Sequence, residues 1–432
     1  MTGTRALTGR RTTELGLLLI VTLITVCAYV LASLGKSATI PAQTLPFLIF
    51  VLGLTLAAHV ANRRLAPDAD PAFLPLVALL NGLGYVFIAR LNYRLAGLQA
   101  TWTFIGVAVY VATLWIVRRS RDLERYRYLL ALAGVGLLLL PLVPGIGQDI
   151  NGARLWVRLG PVSFQPVELA KIALAIFFAS YFVERKEVLA TPTSHLGPLP
   201  VPAARYLGPV VGVVGISLLI MTAERDIGFS LLFFVLFVSM IWVTTGRLAY
   251  VLVGLVLFAA GAFVAVHVFP HVHERITVWL DPWAHANGSG YQIVQAQYAL
   301  GSGGIAGTGL GLGRPTIIPV VVSDFIFAAI GEELGLLGTT AVVVSFLLLV
   351  GAGLRTAVAS RSDFPKLLTA GLTAVIGFQA FFIMAGVVRI LPLTGITLPF
   401  VAYGGSSLVA NYVLLAVLVR ISSETVPLEP GP

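Results

Sequence analysis

The sequence predicts an all-α polytopic integral membrane protein with about twelve transmembrane helices, and three observations support this prediction. Hydrophobic residues make up 58% of the 432 residues, and charged residues make up only 11%. The mean hydropathy is +0.94, which is too apolar for a soluble domain with a polar surface. Finally, apolar runs of about 20 residues, the length of a membrane-spanning helix, recur along the chain.

Twelve apolar runs are the candidate helices in chain order. The first lacks a convincing small-residue cleavage site, so we interpret it as a retained helix and not as a signal peptide. Only residues 224–228 separate the seventh run from the eighth, which leaves open one longer, bent helix. The runs lie near 15–33, 45–62, 72–90, 101–117, 128–145, 167–184, 206–222, 227–245, 248–269, 324–353, 367–390 and 399–420.

Charge placement predicts the orientation of these helices. An even number of helices puts both termini on one side, and 18 of the 28 Lys and Arg residues fall in segments on that side. The positive-inside rule therefore predicts cytoplasmic termini. It also explains the net charge of +9 without a nucleic-acid partner. The single cysteine, Cys27, excludes a disulfide framework and a cysteine-based metal site.

Three polar segments fall on the predicted outer face, at residues 146–171, 223–228 and 270–335. The first ends inside the sixth helix, the second is a short turn, and the third leads into the tenth helix. Their charged and polar side chains include Arg154, Trp156, Arg158, Gln165, Glu168, Lys171, Glu224, Arg225, Asp226, Arg275 and Asp324.

Four ionisable residues predict a polar pocket at this face. Glu168 and Lys171 are three residues apart, so they share a helix face and can pair. Ionisable groups in membrane helices are costly and normally face a water-filled cavity or a partner charge. Together with Asp226 and Asp324 they predict a site with a poised general base. The alternative is a set of snorkelling or helix-packing charges.

The acids around the tenth helix have local explanations as well. Ser323 resembles an N-cap, and the helix dipole favours an acid such as Asp324 in the first turn. Glu332 and Glu333 lie two turns deeper, on adjacent positions that cannot both face the same way. Glycines flank them and permit close helix approach, so we interpret these glutamates as structural. The stretch GSGGIAGTGLGLG lacks the Lys-Ser/Thr of a P-loop, so we interpret it as an outer loop.

Six blocks of this sequence resemble the SEDS family of shape, elongation, division and sporulation proteins (FtsW/RodA/SpoVE). The resemblance covers about residues 146–420. The blocks are NGARLW, FQPVELAK, ERDIG, GSGYQIVQAQYALGSGGIAGTGLG, SDFIFAAIGEELGLLG and LPLTGITLPFVAYGGSSL.

The resemblance implies a ten-helix core preceded by an extra N-terminal helix pair. On this basis the chain divides into a cytoplasmic tail at 1–14, N-terminal helices at 15–100, a membrane core at 101–420 and a cytoplasmic tail at 421–432. The core carries one large extracellular loop at 270–322. The family lies in the bacterial cytoplasmic membrane.

The resemblance also implies an enzyme. Family members are glycosyltransferases that polymerise lipid II into β-1,4 glycan strands of peptidoglycan at the outer membrane face, in cell elongation or division. Their usual partner is a class B penicillin-binding protein, a transpeptidase. The lipid-bearing substrates are lipid II and a glycan linked to undecaprenyl pyrophosphate.

Carried over to this chain, the resemblance implies roles for particular residues. Asp324 matches the family's catalytic acid and would take the proton of the acceptor hydroxyl, inverting the donor's anomeric carbon. Glu168, Lys171 and Asp226 match residues that line the central cavity. Further substrate-binding candidates are Arg154, Trp156, Arg158, Gln165, Arg225, Arg275 and Gln292, and Ser406 is a secondary or structural candidate.

Four positions depart from the family's usual pattern, namely Leu155, Val167, Arg225 and Val322. They leave open how the phosphates are gripped and whether the protein serves elongation or division. A bound Mg²⁺ or Mn²⁺ stays open too, because no motif demands one.

Two other functions remain as alternatives. A lipid II flippase would also use buried charges, yet transporters place them at the membrane midplane, often with an inverted repeat. This sequence has its charges at one face and no obvious repeat. A noncatalytic scaffold of the cell-wall machinery would need only the helices.

Overall fold

The computed structural model describes residues 2–38, 44–150, 152–160, 162–191, 194–196, 199–201 and 204–425. The chain forms two compact units. The first unit comprises Met1–Arg118, Asp281–Thr356 and Gln379–Pro432, and the second comprises Arg119–Leu280 and Ala357–Phe378.

Fifteen α-helices lie in the described residues. They are α1 (Thr2–Ser37), α2 (Thr44–Leu65), α3 (Phe73–Leu91), α4 (Tyr93–Ile116), α5 (Arg127–Leu139), α6 (Val167–Glu184), α7 (Lys186–Ala190), α8 (Ala204–Ala223), α9 (Ile227–Thr245), α10 (Leu248–Val268), α11 (Pro270–Leu280), α12 (Tyr291–Gly303), α13 (Ile326–Ala359), α14 (Asp363–Val387) and α15 (Gly405–Thr425).

The predicted helical membrane architecture is confirmed. By length and composition, nine helical spans in the described part of the chain are able to cross a membrane. Eight of them are in α1, α3, α4, α9, α10, α13, α14 and α15. The ninth is the span Ser120–Leu142, which contains α5. The other three predicted runs lie in α2, α6 and α8.

The seventh and eighth runs form two separate helices, so the alternative of one longer, bent helix is wrong. Helix α8 ends at Ala223 and α9 begins at Ile227. Arg225 between them has a φ of 66°, a left-handed conformation that a continuous α-helix of L-residues does not contain. The chain therefore turns sharply at this point.

Five short strands were not predicted. β1 (Gly147–Ile150), β2 (Ala153–Leu159) and β3 (Val162–Phe164) form an antiparallel sheet, while β4 (Ser194–Leu196) and β5 (Leu199–Val201) form a hairpin. The signal for β2 was the alternation of polar and apolar residues in ARLWVRL. Because strand side chains alternate between faces, Arg154, Trp156 and Arg158 share one face of this strand.

The region around the tenth predicted helix differs from its prediction in three ways. The predicted large loop at 270–322 contains α11 and α12. Helix α13 begins at Ile326, so Ser323 is not its N-cap and Asp324 lies two residues before the helix. The helix is also interrupted at Gly335, where φ is 66° and ψ is −160°.

The first unit buries a polar cluster near the start of α1. The Glu14 carboxylate accepts a hydrogen bond from Arg11, lies 2.8 Å from His59 Nδ1 and also contacts Asn62 Nδ2. Glu14 is fully buried. This end of α1 is therefore held by a buried ion pair, because burying a carboxylate is tolerated only when it is paired and hydrogen-bonded.

The second unit is organised around α6. This helix is buried from Val167 to Phe182 with the exception of Leu169, and it packs against α5 and α9. A helix buried on nearly all sides has no polar face for Glu168 and Lys171 to occupy, so these charges must find partners inside the unit.

Candidate active site

Glu168 and Lys171 form a buried ion pair near the start of α6. Lys171 Nζ lies 2.6 Å from Glu168 Oε2, and both side chains are fully buried. The pairing predicted from their spacing is therefore present. Glu168 Oε1 has no hydrogen-bond partner in the described residues. Buried polar atoms are rarely left unsatisfied, so this oxygen is available to a bound water or substrate group.

Asp226 is the N-cap of α9 and belongs to the same unit. Its Oδ1 accepts a hydrogen bond from Phe229 N at 2.9 Å, while Oδ2 has no partner within the described chain. Burial raises the pKa of Asp226 to about 6, against the lowering effects of Phe229 N–H and Arg275. The negative charge of Glu168 raises the pKa of Asp226 further, so the two acids interact electrostatically.

Glu224 was placed by the sequence in the outer turn ERDIG but was not named as a site candidate. Burial, and then the nearby Asp226 carboxylate, raise the pKa of Glu224 to about 9. At neutral pH this side chain is therefore a neutral carboxylic acid that can donate a hydrogen bond. Its backbone carbonyl accepts from Arg154 N at 3.1 Å, which joins the turn to β2.

We expect Glu224→Gln to raise the apparent melting temperature, by a margin that grows between about pH 5 and pH 9. The wild-type acid has a folded pKa of about 9 against an ordinary value of 4.5. The folded state must therefore hold a proton that the unfolded state releases, which lowers stability as pH rises through this window. Glutamine removes the titration but keeps the shape and a donor.

Thermal unfolding of the purified protein in detergent at a series of pH values measures this effect. Glu187→Gln is the matched control, because Glu187 lies at the start of the short helix α7 and is exposed. If the melting temperature changed equally with pH in the wild type and in Glu224→Gln, the prediction would be contradicted.

Five cationic or aromatic candidates also lie in the second unit. Arg154 and Arg158 are exposed on β2, and Trp156 on the same strand face is partly buried. Arg225 is exposed and donates from Nη1 to Gly152 O at 3.2 Å. Arg275 on α11 is partly buried and acts on Asp226. The second unit therefore combines buried acids with arginines that are open to an anionic ligand.

These groups form what we call the charged cluster, defined as Glu168, Lys171, Glu224, Asp226 and Arg275. The buried ion pair neutralises Lys171, whereas carboxylate oxygens of Glu168, Glu224 and Asp226 are buried without a hydrogen-bond partner among the described residues. Of the remaining second-unit candidates, Gln165 is partly buried just before α6. The cluster can donate and accept hydrogen bonds and can hold a proton.

Asp324 belongs to the first unit and lies in a turn. Its backbone N–H donates to Val320 O at 3.2 Å, and the neighbouring Val322 O accepts from Tyr403 N at 2.8 Å. Val320 has a φ of 55°, a strained conformation for a β-branched residue. Asp324 is partly exposed, and these hydrogen bonds fix the backbone around it.

The other first-unit candidates take three different positions. Gln292 on α12 and Ser406 in the first turn of α15 are both partly exposed. Glu332 and Glu333 are buried on α13, where their carboxylates accept hydrogen bonds from Arg314 N and Gly311 N respectively. The sequence did not decide whether a Mg²⁺ or Mn²⁺ ion is bound. In the described part of the chain, no three His, Cys, Asp or Glu side chains are arranged to hold one.

Comparison with known proteins identifies the family. A family model described as cell cycle protein, FtsW/RodA/SpoVE, matches residues 71–426. Peptidoglycan glycosyltransferase RodA of Mycobacterium tuberculosis strain H37Rv is 43% identical over 424 residues, which cover 96% of this chain and 90% of the relative. The protein of the same name from Mycobacterium leprae is 41% identical over 432 residues, covering 98% and 92%.

Solved structures agree with this assignment. One chain, from a peptidoglycan synthase complex that coordinates polymerization and crosslinking, has a TM-score of 0.69 at 26% identity, covering 83% of this chain and 98% of that one. The rod shape determining protein RodA of Thermus thermophilus has a TM-score of 0.59 at 25% identity, covering 82% and 96%. The chain is thus a multi-pass bacterial membrane protein that belongs to the FtsW/RodA/SpoVE family.

Proposed function

We propose that this protein is a peptidoglycan glycosyltransferase that polymerises lipid II into β-1,4 glycan strands at the outer face of the cytoplasmic membrane, in cell elongation or division. The observation that carries the proposal is the similarity to relatives with this name, at 41% and 43% identity over nearly the whole chain. Family membership and a helical membrane fold with buried ionisable groups are in keeping with it.

Asp324 is the proposed general base. Its partly exposed carboxylate takes the proton from the 4-hydroxyl of the acceptor lipid II while that oxygen attacks the anomeric carbon of the growing strand. The new carbon–oxygen bond forms as the bond to undecaprenyl pyrophosphate breaks, and the configuration inverts from α to β. The leaving pyrophosphate carries away the electron pair.

The arginines of the second unit are the proposed phosphate ligands. Arg154, Arg158 and Arg225 are exposed, and guanidinium groups bind phosphate oxygens through paired hydrogen bonds. Cations placed in advance stabilise the charge that develops on the leaving pyrophosphate. Lys171 is less suited to this role, because Glu168 already neutralises it.

The proposed orientation puts both termini in the cytoplasm. It rests on the distribution of Lys and Arg between the two sets of connecting segments. The proposed protein partner is a class B penicillin-binding protein that crosslinks the new strands. The similarity to a chain from a synthase complex that coordinates polymerization and crosslinking supports a partner of this kind.

Reconstitution tests the proposed function. The protein is placed in liposomes with its penicillin-binding protein, whose transpeptidase serine is replaced so that linear strands accumulate. We expect purified lipid II to be converted into glycan polymers, resolved as a ladder on denaturing gels. Liposomes that contain the partner alone are the control.

Two outcomes would overturn the proposal. Absence of polymer, together with transfer of fluorescent lipid II across the bilayer, would identify a flippase. Absence of both activities in folded protein would identify a scaffold.

A further inference from the structure

The break in helix α13 is sealed by the glycine-rich loop, which we define as residues 304–314. Thr308 N donates to Glu332 O at 2.9 Å, and Gly309 N donates to Glu333 O at 3.0 Å. On the other side of the break, Leu336 N donates to Gly304 O at 2.9 Å. A helix interrupted within a membrane needs such replacements, because lipid satisfies no backbone group.

Glycine is required where the loop and the broken helix meet. A Cβ on Gly307 would lie 2.2 Å from Glu333 O, and one on Gly335 would lie 2.4 Å from Gly307 N. Both glycines also have positive φ angles, of 83° and 66°. The two backbones are therefore in direct contact, and the loop is tightly packed against α13.

A buried ion pair locks this contact. Arg90 Nε lies 2.8 Å from Glu333 Oε1, and Glu333 is fully buried while Arg90 is 8% exposed. Glu333 Oε2 accepts from Gly311 N at 2.9 Å, and Arg90 Nη2 donates to Gly313 O at 2.7 Å. Each charged group thus bonds both to its partner and to the loop.

Glu332 makes a second connection to the same loop. Its Oε1 accepts from Arg314 N at 2.6 Å. The two adjacent glutamates therefore hold opposite ends of the 311–314 segment. Because both side chains reach this one segment, they hold this turn of α13 against the loop.

Helices α1, α2 and α3 pack against the glycine-rich loop. Leu310 packs against a buried apolar cluster that includes Tyr29 of α1, Phe47 of α2 and Val86 of α3. Lys36 Nζ donates to the backbone oxygen of Arg90 at 2.8 Å. Helices α1 and α2 precede residue 71, where the match to the family model begins.

We propose that Arg90 and Glu333 are positioning residues for Asp324. The first piece of α13, from residue 326 to 334, is a short helix that ends at the break. Its far end is locked by the Arg90–Glu333 pair, and Asp324 lies two residues before its near end. A helix held in this way fixes the position of the catalytic carboxylate, and this inference rests on the proposed function.

Steady-state kinetics of lipid II polymerisation test the role of the pair. We expect Glu333→Gln to lower kcat about 10- to 100-fold, since a displacement of about 1 Å can cost that much, with little change in KM. The charge-preserving Glu333→Asp is expected to recover part of this loss. Should Glu333→Gln fail to fold, Arg90→Lys tests the same pair.

Glu14→Gln is the matched control, because it breaks another buried Arg–Glu pair of the first unit. Helix α1 meets the glycine-rich loop at Ala32, whose backbone oxygen would lie 2.4 Å from a Cβ on Gly311. Glu14 is 18 residues from Ala32 along α1, or about 27 Å at the rise of an α-helix. We expect this variant to lose thermal stability and to keep its kcat. Equal losses of kcat in Glu14→Gln and Glu333→Gln would reduce the Arg90–Glu333 pair to a structural role and overturn the proposal.

A thiol probe reports the position of residue 324 without relying on activity. In a Cys27→Ser background, Asp324→Cys is reacted with a membrane-impermeant thiol reagent. Glu333→Gln is expected to change the reaction rate and Glu14→Gln to leave it unchanged.

If the wild type makes no polymer but the thiol rate changes, the proposed function fails and the positioning role survives. An unchanged thiol rate in Glu333→Gln overturns the positioning role, whatever the wild-type activity.

Discussion

Asp324→Asn is expected to lower the kcat of glycan polymerisation by about 10²- to 10⁴-fold, the range associated with a general base. Asparagine is nearly isosteric with aspartate but cannot accept the acceptor's proton. The turn that holds residue 324 depends on backbone hydrogen bonds to Val320 and Tyr403, so the variant should fold normally. Polymerisation of purified lipid II beside the partner penicillin-binding protein measures the change.

Two further variants sharpen this experiment. Asp122→Asn makes the same chemical change at an exposed residue of the 3₁₀ segment Ser120–Tyr126 and should leave kcat unchanged. Asp324→Glu keeps the base but moves it by one methylene, so an intermediate kcat is expected. Full activity of a folded Asp324→Asn protein would remove Asp324 from the catalytic role and leave its family resemblance unexplained.

Lys171→Met is expected to destabilise the protein by about 3–5 kcal/mol, because it leaves the Glu168 carboxylate buried without its counter-charge. For a chain of this length that corresponds to a fall of about 4 °C in melting temperature. Methionine keeps the length and the apolar stem of lysine, so little of the loss comes from packing. Thermal unfolding of the detergent-solubilised protein measures it.

The double variant Glu168→Gln/Lys171→Met separates stability from function. Removing both charges should restore most of the melting temperature, since no unpaired buried charge remains. If the pair also serves the reaction, polymerisation stays low in the double variant although the fold is recovered. Recovery of both properties would assign the pair to stability alone, and an unchanged melting temperature in Lys171→Met would contradict its burial as an ion pair.

Local patterns were sufficient to predict the helices and one part of the site. Each of the twelve apolar runs overlaps an α-helix, because the cost of exposing a backbone to lipid makes a long apolar run largely helical whatever its neighbours are. The Glu168–Lys171 pair was predictable for a similar reason. Its two members stand three residues apart on one helix, so their contact depends only on helix geometry.

Contacts between distant segments escaped prediction. The strand β2 carries a weak alternating pattern over seven residues, and its pairing with β1 and β3 needed turns that the pattern alone does not locate. From the sequence, Arg90 resembles any other basic residue at a helix end. Only the folded chain places its Nε 2.8 Å from Glu333 Oε1, although the two residues are 243 positions apart. The start of α13 at Ile326 was missed because the turn before it is held by Tyr403.

The amino-acid sequence by itself determined the membrane class, the helices, the Glu168–Lys171 pair and, through its resemblance to a family, the residues for which chemistry is proposed. Composition and short-range spacing carry this information, because helix formation in an apolar solvent is a local requirement. Tertiary structure alone decided the sealed break in α13, the raised pKa of Glu224 and the ion pair of Arg90. Burial and long-range pairing depend on which segments meet, and a local pattern does not encode that choice.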